Sequence, residues 1–409
     1  MSQLETLSIK KMSKNDINNN SFEFRKKQVF KDEIDGKNLN LSENLNVDGI
    51  GTIENLKVNN LYVTGTPVFE VKDNLEQFPI LSSLIAPTFL SFDLYKPLKT
   101  ITQIDGTINS VDRNWASAAL SSSGENISAV VNGGNIWISE DFGENWVEKN
   151  LGTDLAWSSI SVSFDSMYQT AVVNGGKIWS SSDFGENWTQ LDVEQLAWTS
   201  VAMSKNGKYQ TAVVYAGNIW TSSDFGETWI KIILNSVFPN DVKNFKSVAM
   251  NYNGEIQIAV GYSSDIIRSI NYGETWAQIS GTSKSWSSVC LSYTGQYGLA
   301  VSSNGKLYTS NDFGLTWKMP SGSVNSGNRN WFSASMNSTG KYQFAVINFE
   351  KQIWKSKDFG KTWILSNVES KSWKFISTNS SGQLSILTDN TKIMTSYCNL
   401  ILNEITNIV

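Results

Sequence analysis

Five aspartates in this chain, Asp141, Asp183, Asp224, Asp312 and Asp358, each stand two residues after a serine and two before a glycine. A tryptophan closes each set, as in SEDFGENW (139–146) and SSDFGETW (222–229). Carboxylates repeated in this way could be acids, calcium ligands or turn acceptors. The spacing selects the third role. Each aspartate belongs to its own copy of one turn, so the five cannot converge on a single reacting bond. The glycines Gly143, Gly185, Gly226, Gly314 and Gly360 take positive φ without steric cost. The aspartates accept backbone N–H bonds inside the turn, as Asx turns do. A sixth copy, SINYGETW (269–276), carries asparagine instead.

The remaining chemical inventory is thin. Histidine is absent, which removes serine–histidine and cysteine–histidine nucleophile pairs and most zinc sites. Arginine occurs only as Arg25, Arg113, Arg268 and Arg329. Two cysteines, Cys290 and Cys398, make no disulfide framework, and Cys290 in SSVCLS reads as a small buried apolar residue. No catalytic residue, metal or cofactor is expected. One constellation does suggest binding. The residue two before each repeat's opening aromatic is Arg113, Leu155, Leu196, Lys243, Lys284, Arg329 or Lys371. The five basic positions are contiguous around a ring of repeats. They are expected to form a cationic arc opposite the aspartate turns, focusing potential on an anionic ligand.

The elements that position these residues follow from tryptophan. All 16 tryptophans occupy three positions of one repeat. Trp115, Trp157, Trp198, Trp286, Trp331 and Trp373 open the units, with Phe245 in the remaining slot. Trp137, Trp179, Trp220 and Trp354 precede the turn, and the last six close it. Self-similarity at this period means a repeat architecture. Within 198–232 the pattern WTSVAMS, YQTAVVY, NIWTSS, TWIKI, broken by KNGK, AGN and DFGE, spells four short antiparallel strands. Seven openings against six turns predict an all-β, seven-bladed β-propeller whose last blade lacks its fourth strand. PLKTITQI (97–104) is expected to supply it, with the tail 398–409 as the alternative. The propeller domain is thus 97–409.

The first 96 residues differ. Residues 1–35 read as a polar arm without period. Residues 36–72 contain short L-x-L and L-x-V steps between Asn, Asp and Gly turns, expected as an extended β-stalk. Residues 73–96 form an apolar connector. So little apolar material cannot make a core in one copy, so 37–96 is expected to build a homotrimer and the arm to join a larger assembly. Net charge of −5 argues against a nucleic-acid partner, and no stretch is long and apolar enough for a membrane span. The N-terminus lacks the apolar region of a secretory signal.

The aspartate turns resemble the BNR/Asp-box repeat of sialidases and related propellers, over about residues 99–396. That resemblance implies the fold and not catalysis. Sialidases use three arginines around the substrate carboxylate, a tyrosine nucleophile and an R-I-P motif, which this chain lacks. Only Arg113 and Arg329 could approach the channel mouth, and Arg268 falls in the degenerate turn at the outer rim. The arm and stalk are similar to those of phage and large-virus fibre proteins. The resemblance implies a non-enzymatic virion attachment protein whose head binds a cell-surface glycan or acidic protein surface. A sialidase-like hydrolase or an assembly-factor propeller are the alternatives.

Overall fold

The computed structural model describes residues 111–397, except 153, 235–243, 349, 351, 367–370 and 390, together with Thr102–Gln103. It also describes the backbone of six strands between Phe22 and Val63. The chain divides into two units, residues 99–400 and residues 1–98 with 401–409.

In the larger unit the opening aromatics seed the inner strands Trp115–Leu120, Leu155–Val162, Leu196–Met203, Asn244–Met250, Trp286–Leu291, Trp331–Met336 and Phe375–Thr378. Each begins a repeated antiparallel unit, seven among the described residues. The first runs Trp115–Leu120, Ile127–Gly134, Ile136–Ser139, Val147–Lys149, here called strands A to D. In the fifth unit strand D shrinks to a bridge between Thr309 and Lys318. In the last, Ile393–Tyr397 pairs on its outer edge with Thr102–Gln103, so the N-terminal strand completes the C-terminal unit. That pairing removes an exposed sheet edge.

The seven opening aromatics are all buried. Trp115, Trp157 and Trp198 meet the strand C tryptophan of their own unit edge to face, with centroids 5.8 to 6.3 Å apart. The Trp157 indole N–H also reaches back to Gly134 O of the preceding unit (3.0 Å). Serine explains the small residues of strand A. The hydroxyls of Ser117, Ser159, Ser200, Ser247, Ser288 and Ser333 each accept a strand A amide of the next unit, at 3.2 to 3.4 Å. Between second strands, Thr170 donates to Gln210 and Thr211 to Gln257, both at 2.6 Å and fully buried. The units are thus joined by polar side chains whose hydrogen bonds are all internal.

In the smaller unit the strands pair in parallel. Phe22, Leu39 and Leu56 share one register and Gln28, Leu45 and Leu61 another, a step of sixteen or seventeen residues. Strands Phe22–Phe24 and Gln28–Phe30 therefore lie inside the segment 1–35 that the sequence suggested was an aperiodic arm. A seventeen-residue step is invisible to a search for short alternation, because the paired residues sit on successive turns of the coil. The connector 73–96 and the tail 398–409 lie outside the described residues.

Candidate ligand-binding face

The aspartate turns form one hydrogen-bonded unit each. Ser222 Oγ donates to Asp224 Oδ1 (2.7 Å) and accepts the Gly226 N–H (3.0 Å). The Thr228 N–H and hydroxyl donate to the two oxygens of the same carboxylate (3.0 and 2.5 Å). The Trp229 indole N–H caps Gly226 O (3.1 Å). Asp141, Asp183, Asp312 and Asp358 repeat the pattern. Burial tends to raise these carboxyls, but the hydrogen bonds outweigh it and hold all five below the ordinary aspartate range. Asn271 fills the place in the degenerate copy, accepting from Ser269 and the Thr275 amide at 3.0 Å. The carboxylates are fully engaged in their turns.

The glycines do adopt positive φ, but so does the aromatic before each, Phe225 at 64° and Phe142 at 61°. That second left-handed residue was not legible in the motif. These aromatics are not deeply buried: Phe184 and Phe313 are 46% and 40% exposed. Three of them instead lie over a tyrosine of the preceding unit, Phe225 on Tyr168, Tyr272 on Tyr209 and Phe359 on Tyr297, at 4.5 to 4.7 Å.

Each described basic position before an opening aromatic leans on a side chain of a third strand. Arg113 lies over the Trp137 ring (4.5 Å), Arg329 over Trp354 (5.1 Å) and Lys284 over Tyr308 (6.0 Å). Lys371 Nζ contacts Met394 Sδ (3.6 Å). Each partner is on the third strand of the same unit, outward from the inner strands. The cations therefore replace, in their units, the Leu155 and Leu196 that pack beside Trp179 and Trp220 in the others. Arg329 also pairs with Glu350 and donates to Val324 O. Lys243 lies outside the described residues. Arg268 donates its Nε–H to Phe313 O of the next unit's turn (2.7 Å), away from the other arginines.

The face that carries the aspartate turns offers a different concavity. Strands A and C run the same way, so the A–B turns and the aspartate turns emerge on one face, and the Phe142 N–H donates to Glu125 O across them (2.9 Å). At the ends of the inner strands, Ser121, Ser163, Ser204, Asn251, Ser292, Asn337 and Asn379 are buried. Each accepts the amide five residues on, at 2.9 to 3.2 Å. The next residue of each unit enters a closed circuit of main-chain bonds. Ser122 N–H donates to Phe164 O, Phe164 to Lys205, Lys205 to Tyr252, Tyr252 to Tyr293, Tyr293 to Ser338, Ser338 to Ser380 and Ser380 back to Ser122, at 2.7 to 3.1 Å. These residues lie seven after each opening aromatic.

Because that backbone circuit is complete, the free groups at its centre are side chains. A cavity of about 200 Å³ opens there, and all seven circuit residues line it. One arc is aromatic and cationic. Lys205 Nζ stands 4.0 Å from the Phe164 ring centre and 5.8 Å from that of Tyr293, two units away. Tyr252 lies flat on Tyr293, 4.5 Å apart and 8° from parallel. Burial pushes the Tyr293 phenol upward, so it remains a hydrogen-bond donor at neutral pH. The other arc is three serines. None of these residues was singled out in the sequence, although their common offset is readable there.

The closed circuit, the four-stranded antiparallel units and the turn chemistry define a β-propeller. Its repeats match the BNR-Asp box repeat at residues 178–191, 219–233 and 353–364. The chain is similar in structure to YCF48 from Cyanidioschyzon merolae, with TM-score 0.58 and 15% identity over 73% of this chain and 98% of that one. A YCF48 bound to D1 peptide gives TM-score 0.57 and 15% identity over 75% and 98%. The β-propeller domain of Cps50 (Swd1) from Myceliophteria thermophila gives 0.57 and 11% over 71% and 99%. At these identities the likeness is one of fold. No curated protein matches the chain in sequence. Among the described residues there is no cluster of metal-ligating side chains and no helix long and apolar enough to cross a membrane.

Proposed function

We propose that this chain is a non-enzymatic attachment protein of virion or fibre type, with the propeller as its recognition head. Residues 37–96 hold it in a homotrimer and the N-terminal arm joins it to a larger assembly. The observation that carries the reading is the axial mouth on the aspartate-turn face. It pairs a lysine that has no carboxylate partner among the described residues with a flat tyrosine pair, and has no acid–base couple beside them. The five turn aspartates are committed to their own turns, and Arg113, Arg268 and Arg329 are held in separate units. A hydrolase of the sialidase kind has no arginine cluster to hold a substrate carboxylate here. The parallel strand repeat of the N-terminal unit suits a spacer, because each turn of such a coil stacks only on its neighbours. Three heads on one spacer would multiply a weak affinity.

The assembly-factor reading draws on one finding, the fold shared with a YCF48 bound to D1 peptide. The two readings separate on ligand chemistry. Full-length protein on a glycan array and a peptide array, with product analysis by mass spectrometry, tests both. Glycan binding without hydrolysis supports attachment. Binding to peptides alone, or turnover of any glycan, refutes it.

A further inference from the structure

We infer that the axial mouth binds a single carboxylated sugar residue of a glycan, its carboxylate on Lys205 Nζ and its ring face on Tyr252. The inference rests on the attachment reading and gives the head's ligand a chemical class. Its site is on the face opposite the basic positions before the opening aromatics.

The circuit leaves the mouth no free main-chain group. Every main-chain N–H and C=O of the circuit is spent on the neighbouring unit. An extended peptide that recognises its partner by main-chain pairing would find no free edge. A sugar needs none. Its hydroxyls can exchange bonds with serine hydroxyls, and its axial C–H groups carry a slight positive charge that suits the electron-rich face of a phenol ring. Tyr252 is 43% exposed, and its stacking on Tyr293 fixes its plane. The platform is therefore open, flat and already ordered, which lowers the entropy lost on binding.

Lys205 sets the charge. Its ammonium leans on Phe164 and faces Tyr293, and neither ring neutralises it. Acidic groups do stand at the rim. Asp165 follows Phe164, but its Oδ1 already accepts from Ser163 Oγ (2.6 Å) and the Met167 amide (3.0 Å). Glu125 and Glu255 lie further along their A–B turns and are exposed or half-buried. A ligand carboxylate would bring a partner to the lysine without displacing an existing ion pair. Ser122, Ser338 and Ser380 close the far side with hydroxyls, of which that of Ser338 already donates to Ser380 O (2.8 Å) and is left as an acceptor. The cavity of about 200 Å³ admits one sugar ring and not a folded chain. The arrangement of one cation, one platform and several hydroxyls is the pattern of a shaped polar ligand site.

The test uses the full-length protein and a panel of oligosaccharides ending in a uronic or nonulosonic acid, each with its methyl ester. Affinities are measured by calorimetry at low and high salt. The acids should bind about tenfold or more tightly than their esters, since a charge-assisted bond is at stake. That margin should shrink as salt screens it. Lys205→Gln should erase the acid–ester difference, whereas Tyr252→Ala should weaken acid and ester alike. Lys284→Gln, on the opposite face, should change neither. Lys205 joins the circuit through its backbone, so Lys205→Gln should fold, which circular dichroism checks, and Lys205→Met offers a second neutral variant. Acid and ester binding equally, or acid binding that survives both lysine variants, overturns the ligand class and leaves the head a glycan binder. Failure of every sugar, acidic or neutral, overturns the class and the attachment reading together. Capture of peptides ending in a carboxylate, with no sugar bound, does the same in favour of the assembly reading.

Discussion

Replacing Asp224 by alanine isolates the worth of one turn carboxylate. Its oxygens take three donors: the Ser222 hydroxyl, the Thr228 amide and the Thr228 hydroxyl. Thr228 is exposed, so water satisfies both of its groups after truncation. Ser222 is only 3% exposed, and its hydroxyl proton would lose its acceptor. One orphaned buried donor costs about 1–3 kcal/mol, and the exposed bonds add little. Asp224→Asn keeps the Oδ1 acceptor, and Asn271 does the same work in its own turn with bonds of 3.0 Å. That variant should cost roughly 1 kcal/mol or less, the share due to charge. The pH dependence carries its own sign. The Asp224 carboxyl is held below its unfolded value, so its contribution is complete above the unfolded pKa and is lost as pH falls through the folded one. Urea denaturation of the full chain followed by tryptophan fluorescence at neutral and acid pH measures these differences. Amide exchange at Gly226 and Thr228 localises them. If alanine costs no more than asparagine, the turn oxygen is not an acceptor of consequence, and if the wild type's margin over asparagine persists below the folded pKa, the charge on it contributes nothing.

Gln210→Ala should cost roughly 2–4 kcal/mol, from a cavity and the orphaned Thr170 hydroxyl. Pairing Thr170→Val with Gln210→Leu should recover part of that loss, which a double-mutant cycle in urea will read. A chain starting at residue 97 keeps Thr102–Gln103 and should be a stable monomer by light scattering. One starting at 111 exposes the edge of Ile393–Tyr397 and should melt lower or aggregate. Full-length protein should weigh as a trimer by mass photometry, and a monomer would remove the stalk reading. Arg329→Ala should destabilise the 320–329 loop by about 1–2 kcal/mol through the lost bond to Val324 O, seen as faster proteolysis there.

Much of the fold is written in the tryptophans because each does a local job. Trp198 must be buried against Trp220, and Trp229 must cap Gly226, so their spacing reports the strand order directly. The pairing of residues 102–103 with 394–395 follows from a deficit, one strand short among seven units. What stayed hidden depends on neighbours far apart in sequence. Nothing in the spacing of the basic residues before the opening aromatics says that Arg113 lies over Trp137. The parallel coil of Phe22, Leu39 and Leu56 escaped because its step exceeds any strand period.

The axial mouth differs from the rest of the ring in what fixes its residues. In a repeat protein most positions are fixed by a contact that every unit must make. The serine two after the opening aromatic has to bond the next inner strand, and the aspartate has to hold its turn. Residues seven after the opening aromatic join the closed circuit through their backbone, and among their side chains the Ser338 hydroxyl also donates to it, at Ser380 O. The backbone circuit accepts different side chains at these positions, and they are not uniform: serine in three units, and Phe164, Lys205, Tyr252 and Tyr293 side by side in the other four. The stacked Tyr252 and Tyr293 and the Lys205–Phe164 contact each join neighbouring units. They give one half of the mouth the chemistry that the proposed ligand requires, and a ring of identical units could not have distinguished that half from the other.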